Sequence, residues 1–127
     1  MDEQEFFASV AARTGLGREE AADLTRATLQ AIAQRLSEGT VRDLMTGLPD
    51  GLDGEVRAVK GRPSRRVGLE EIEEKVSERT GLRRDEVHSG FRAVLATLRE
   101  AVPEDTYEKV VGQLPGQFRD LVAEEPG

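Results

Sequence analysis

Arg13-Thr14-Gly15-Leu16 and Arg79-Thr80-Gly81-Leu82 are the same four residues set 66 positions apart, and that interval decides the fold. Writing residues 5–56 above residues 71–122 needs no gap. Arg26-Ala27 with Leu29 then returns as Arg92-Ala93 with Leu95, Glu38 with Thr40 as Glu104 with Thr106, and Leu48-Pro49 as Leu114-Pro115. About fifteen positions are identical, where chance gives roughly three. The chain reads as two tandem copies of one small all-α unit.

Each copy reads as three helices and a short tail. In the first helix Phe6 and Val10 share a face, as do Leu69, Ile72 and Val76 in the second copy. Gly15 and Gly81 stand where a left-handed residue closes a helix, and Leu16 and Leu82 are placed to fold back on the last turn as in a Schellman motif. The long second helix is expected over about residues 18–36 and 84–102. Its stripe is Ala21, Thr25, Thr28, Leu29, Ile32 and Leu36 in one copy and the bulkier Val87, Phe91, Val94, Leu95, Leu98 and Val102 in the other. Small positions facing large ones are what two units need to interdigitate, so the copies are expected to pack face to face in one bundle.

The third helix is expected to start near Thr40 and Thr106 as N-caps, with Pro103 in a first-turn position, and to end before Pro49 and Pro115. Val41, Leu44, Met45 and Leu48 supply its apolar face, matched by Tyr107, Val110, Val111 and Leu114. The expected organisation is a helical repeat over 1–56, a basic linker over 57–68 and a second repeat over 69–123, together one compact domain. Residues 124–127 should fray.

Composition narrows the function classes. With 127 residues the chain can bury one substantial core. It has no cysteine and one histidine, which removes disulfide scaffolds, thiol catalysis and the usual zinc patterns. The first five residues are acidic where a signal peptide is basic, and no apolar run approaches the ~20 residues of a membrane span, so a cytoplasmic protein is expected. A net charge of −7 disfavours nonspecific contact with nucleic acid or anionic membranes.

The pattern of a Thr-Gly-Leu corner, a long helix carrying Arg-Ala-x-Leu and a Leu-Pro ending, present twice, resembles the bacterial family catalogued as domain of unknown function 2267. The resemblance spans nearly the whole chain. It implies an all-helical, internally duplicated fold and no established activity, so it carries no catalytic residue onto this sequence. The linker departs from the family's habit of an aromatic residue near the copy boundary, since residues 53–68 have none.

Candidate sites are few. His88, at the position of Ala22 in the first copy, would need a positioned partner beside a substrate cleft to act as a general base; the alternative is a solvated or partly buried surface histidine. Asp85 and His88 have the i, i+3 spacing of helical metal sites, but di-iron bundles need two such pairs and the first copy lacks the histidine. Glu19, Glu20 and Asp23, and the run Glu70, Glu71, Glu73, Glu74 and Glu78, read as acids favoured near helix N-termini. With four phenylalanines, one tyrosine and no tryptophan, a sugar-stacking cleft is not expected, and the glycines fit no phosphate-binding fingerprint.

The linker supplies the sharper alternative. Lys60-Gly61-Arg62-Pro63 followed by Arg65-Arg66, with Arg57 before them, resembles an AT-hook, whose arginines read the narrow A·T minor groove. Against it, the rest of the chain carries about −12 once these five charges are set aside. The expectation is a noncatalytic structural or protein–protein interaction module, meeting a protein partner or itself, with no cofactor, metal, membrane or small-molecule ligand. Nucleic-acid contact through Arg57, Lys60, Arg62, Arg65 and Arg66 is the alternative.

Overall fold

The computed structural model describes residues 1–57 and 68–124. They form helices α1 (Glu3–Thr14), α2 (Arg18–Ala33), α3 (Glu38–Gly47), α4 (Asp53–Arg57), α5 (Leu69–Thr80), α6 (Arg84–Ala101), α7 (Glu104–Gln113) and α8 (Gly116–Glu124), and no strand among the described residues. The starts of α1 and α5, of α2 and α6, and of α3 and α7 each lie 66 residues apart. The tails are helical too and begin at unequal places: α4 at Asp53, and α8 at Gly116, the register of Asp50.

Local chemistry explains where the helices begin and end. Asp2 and Glu5 form a reciprocal capping box at α1, each side chain accepting the other's backbone N–H at 3.0 and 2.8 Å. Glu20 and Glu86, equivalent under the 66-residue offset, accept the N–H of Gly17 and Arg83 at 3.0 and 2.9 Å, ahead of α2 and α6. Those carboxylates satisfy orphan donors directly.

Gly15 and Gly81 take φ 79° and 78°, the left-handed closures expected. The corner is an αL motif instead of a Schellman turn. Gly15 N–H reaches Ala11 O and Gly81 N–H reaches Ser77 O, both at 2.8 Å. The next donors, Leu16 and Leu82 N–H, are accepted by the Thr14 and Thr80 hydroxyls at 3.2 and 3.3 Å. Each hydroxyl in turn donates to the carbonyl four residues back, Val10 O or Val76 O. Threonine captures the bond that would have made a Schellman turn, which accounts for Thr-Gly-Leu as a unit.

Two boundary expectations need correction. The N-cap of α3 is Ser37, whose hydroxyl accepts from Thr40 N–H; Thr40 itself is buried inside the first turn. Pro103 takes the equivalent place at α7, and Thr106 is likewise buried. The second helix of the first half stops at Ala33, three residues short of expectation, because Arg35 and Leu36 N–H bond to Ile32 and Ala33 O and tighten the last turn.

The halves interlock. α1 packs on α6 as well as on α2, α5 packs on α2 as well as on α6, and α2 meets α6 while α3 meets α7. α4 closes over α2 and α3, as α8 closes over α6 and α7. All twelve residues of the two long-helix stripes are buried. A methyl group on Gly90 of α6 would sit 2.2 Å from Leu24 Cδ2 of α2, so Gly90 is the notch that receives Leu24. Phe118 of α8 stacks on Phe91 of α6 with ring centroids 5.7 Å apart.

Candidate functional site

His88 lies on the outer side of α6, its side chain 42% exposed, and its Nδ1 is 2.6 Å from Oε2 of Glu73 on α5. The Glu73 side chain is only 8% exposed. Its other oxygen faces Arg84 Nη2 at 3.5 Å, and the same guanidinium donates to Glu70 O at 3.1 Å. A carboxylate on the inward face of α5 is thus held between an imidazole and a guanidinium, the pairing that a buried charge requires.

The 66-residue offset shows what this cluster replaces. Glu73 occupies the register of Phe7, which is 2% exposed and lies under the Arg26 guanidinium at 5.0 Å. His88 occupies that of Ala22, and Arg84 that of Arg18, which donates to Gln4 O as Arg84 does to Glu70 O. The first half fills the site with an aromatic ring, and the second with an ionisable pair. Glu73 escaped the sequence reading because it was counted with the solvated acids of α5. The signal was available, since an acid aligned on the apolar stripe position next to Phe6 and Ile72 marks a buried carboxylate.

Chemically, a carboxylate against Nδ1 fixes the ring and, in the neutral imidazole, requires the proton on that nitrogen. This is the base-and-orienter half of a nucleophilic triad. A cleft of about 220 Å³ opens between the α1 corner and the start of α6, lined by Thr14, Leu16, Arg83, Asp85 and Glu86 among others, and His88 is not part of its lining. Asp85 pairs with Arg83 at 3.2 Å, and the partner of His88 is Glu73. Among the described residues no group of three or more His, Asp or Glu could hold a metal ion.

Of the basic linker, Arg57 is the last residue of α4 and pairs with Asp53 one turn earlier at 3.1 Å. Lys60, Arg62, Arg65 and Arg66 lie outside the described residues. Among the described residues no helix is long and apolar enough to cross a membrane.

The seam between the halves carries further polar pairs. Lys109 Nζ on α7 meets Asp43 Oδ2 on α3 at 3.0 Å, and these residues are again 66 apart. The hydrogen bond that Lys109 donates to this carboxylate, then the carboxylate's charge, raises the Lys109 pKa above the usual lysine value. Gln113 Oε1 accepts Ser37 N–H at 2.8 Å, and its Nε2 donates to Thr40 Oγ1 at 2.7 Å. At the equivalent place Gly47 faces Val102 and Pro103. Proline has no N–H, so no acceptor is needed there.

A family model described as "Uncharacterized conserved protein (DUF2267)" matches residues 3–121. No curated protein matches the chain.

Proposed function

Because the chain belongs to the DUF2267 family of uncharacterized conserved proteins, whose description names no activity, we propose a function from its physical form: a noncatalytic helical interaction module. In this reading the two halves are tandem repeats that close on each other as one domain, and partners are met on the outer surface. The observation that carries it is the filling of the seam. Leu24 occupies the Gly90 notch, Asp43 is paired with Lys109, and Gln113 satisfies both Ser37 and Thr40. Where these pairs interdigitate no room is left for a substrate, and the cleft of about 220 Å³ between the α1 corner and the start of α6 is lined by other residues.

The outer surface suits polar contacts. Among the described residues Met1 is the one large hydrophobic side chain that is exposed, and Glu70, Glu71, Glu74 and Glu78 present acid along the solvent side of α5. A partner would therefore bring basic or hydrogen-bonding groups, with association that weakens as salt rises.

The experiment is cross-linking in the native host followed by mass spectrometry. A recurrent protein cross-linked to exposed positions, and lost when Glu70, Glu74 and Glu78 are replaced by lysine, is expected. Recovery of this chain alone would overturn the reading. Salt-sensitive binding of an A·T-rich duplex at low ionic strength would replace it with nucleic-acid contact through the Lys60–Arg66 segment.

A further inference from the structure

The residues that meet across the seam include two pairs at equivalent positions of the two halves. Leu24 fits against Gly90, and Asp43 pairs with Lys109; in each case the numbers differ by the 66-residue offset. Residues equivalent under an approximate twofold meet each other only where the axis passes, so these pairs mark the axis between α2 and α6 and between α3 and α7. At such a point a true symmetric dimer places each residue against its own copy. Leucine would face leucine where there is space for only one, glycine would face glycine across a gap, and aspartate would face aspartate.

Both of these pairs are filled by opposites: large against none, acid against base. One off-axis contact follows the same rule, since Gln113 serves the Ser37 N–H while Gly47, its equivalent, leaves room for the Val102–Pro103 corner.

We propose that the seam is a heterotypic recognition surface: the surface of residues 1–57 fits residues 68–124 and rejects another copy of itself. Leu24/Gly90 and Asp43/Lys109 are its selectivity-determining pairs. The partner chemistry is therefore fixed for self-association through this seam. A second copy of the chain is met only by reciprocal exchange, with the first half of each molecule on the second half of the other. The proposal rests on reading the chain as two halves of one module.

The test uses three full-length variants. Gly90→Leu sets leucine against leucine, Leu24→Gly leaves glycine against glycine, and the reciprocal double variant L24G/G90L restores one of each with their places exchanged. Both single variants should show a lower urea midpoint than the parent, and the reciprocal double should recover at least half of the larger loss. Refolding the two single variants together should yield a 1:1 heterodimer by native mass spectrometry, because each first half then finds a complementary second half. A double variant no more stable than the worse single, or a mixture that contains only the separate chains, overturns the proposal.

The milder pair guards against simple failure to fold. Asp43→Lys and Lys109→Asp should each lower the urea midpoint, more so at low salt, and the reciprocal double should return it toward the parent value. Additive losses in this cycle would also overturn the assignment. None of these outcomes bears on whether an outside protein binds the parent chain.

Discussion

Replacing Glu73 and His88 by the residues that the first half uses at the same places, Phe and Ala, should leave the protein as stable as the parent or more so. Removing His88 alone should weaken it. His88→Ala takes away the 2.6 Å partner of a carboxylate that is 8% exposed and leaves it one contact, Arg84 at 3.5 Å. Breaking a fully buried ion pair from one side costs about 3–5 kcal/mol. His88 is 42% exposed, so water relieves much of the loss, and about 1–2 kcal/mol is expected. In E73F/H88A no buried charge remains. The new ring gains up to ~1.5–3 kcal/mol of apolar burial, offset in part by the fit of a larger side chain into space released by the imidazole. Arg92 stands at the register of Arg26, which covers Phe7. The net expectation for the double variant is between zero and about +2 kcal/mol. Urea unfolding followed by circular dichroism at pH 7 measures all four corners of the cycle. If H88A is neutral while E73F/H88A loses more than about 2 kcal/mol, the pair is not a polar substitute for Phe7–Ala22, and the reasoning fails.

Four further outcomes follow from particular side chains. Thr28 is fully buried with no hydrogen-bond partner for its hydroxyl, and its equivalent is Val94; Thr28→Val should raise unfolding free energy by about 1 kcal/mol, and a loss in chemical denaturation would show that the hydroxyl is satisfied. Gly90→Ala forces a methyl to within 2.2 Å of Leu24, which should cost about 1–3 kcal/mol and be relieved by Leu24→Ala in the same chain, read by thermal unfolding. Gly81→Ala, at φ 78°, should cost about 1–2 kcal/mol in the same assay although nothing lies near the added carbon, so a neutral result would refute the left-handed closure. Lys109 has its pKa raised by the hydrogen bond and charge of Asp43, so its pairing is present below the ordinary lysine value and is lost as pH rises through the higher one; an NMR titration should place its amine above 10.5 and Asp43→Asn should bring it back.

The fold was legible because its punctuation repeats. Thr14-Gly15 and Thr80-Gly81 end the first helices, Pro49 and Pro115 follow the third, and the apolar stripes between them have helical spacing. Helix starts at α3 and α7 were misplaced by a few residues for a reason that propensity does not resolve. Serine at 37 and threonine at 40 are both good caps, and only the burial of Thr40 against Gln113 decides between them. The αL corner was misread as a Schellman turn on similar grounds, since the threonine hydroxyl competes locally for the Leu16 and Leu82 N–H groups.

The site was less legible, and the reason is that a single helical period does not reveal which polar residue is turned inward. Glu73 sits in a run of five acids within Glu70–Glu78, and each looks solvated when read along its own helix. Read across the offset, only one of the five falls on a position that is a buried aromatic in the other half. Leu24 and Gly90 repeat the lesson: neither stands out on its own helix, and their meaning comes from being the same position twice. Duplication first supplies two equal surfaces that must meet across an axis. Equality there is a packing liability, because one residue must fill a space that its own copy also claims. In the proposed tandem-repeat reading a fused chain can let its two copies diverge in opposite directions, and the Leu24–Gly90 and Asp43–Lys109 pairs fit that divergence. The Glu73–His88 pair lies within the second half, so the difference between Phe7 with Ala22 and an ionisable pair requires a separate cause. The Phe–Ala replacement measures whether that cause is stability.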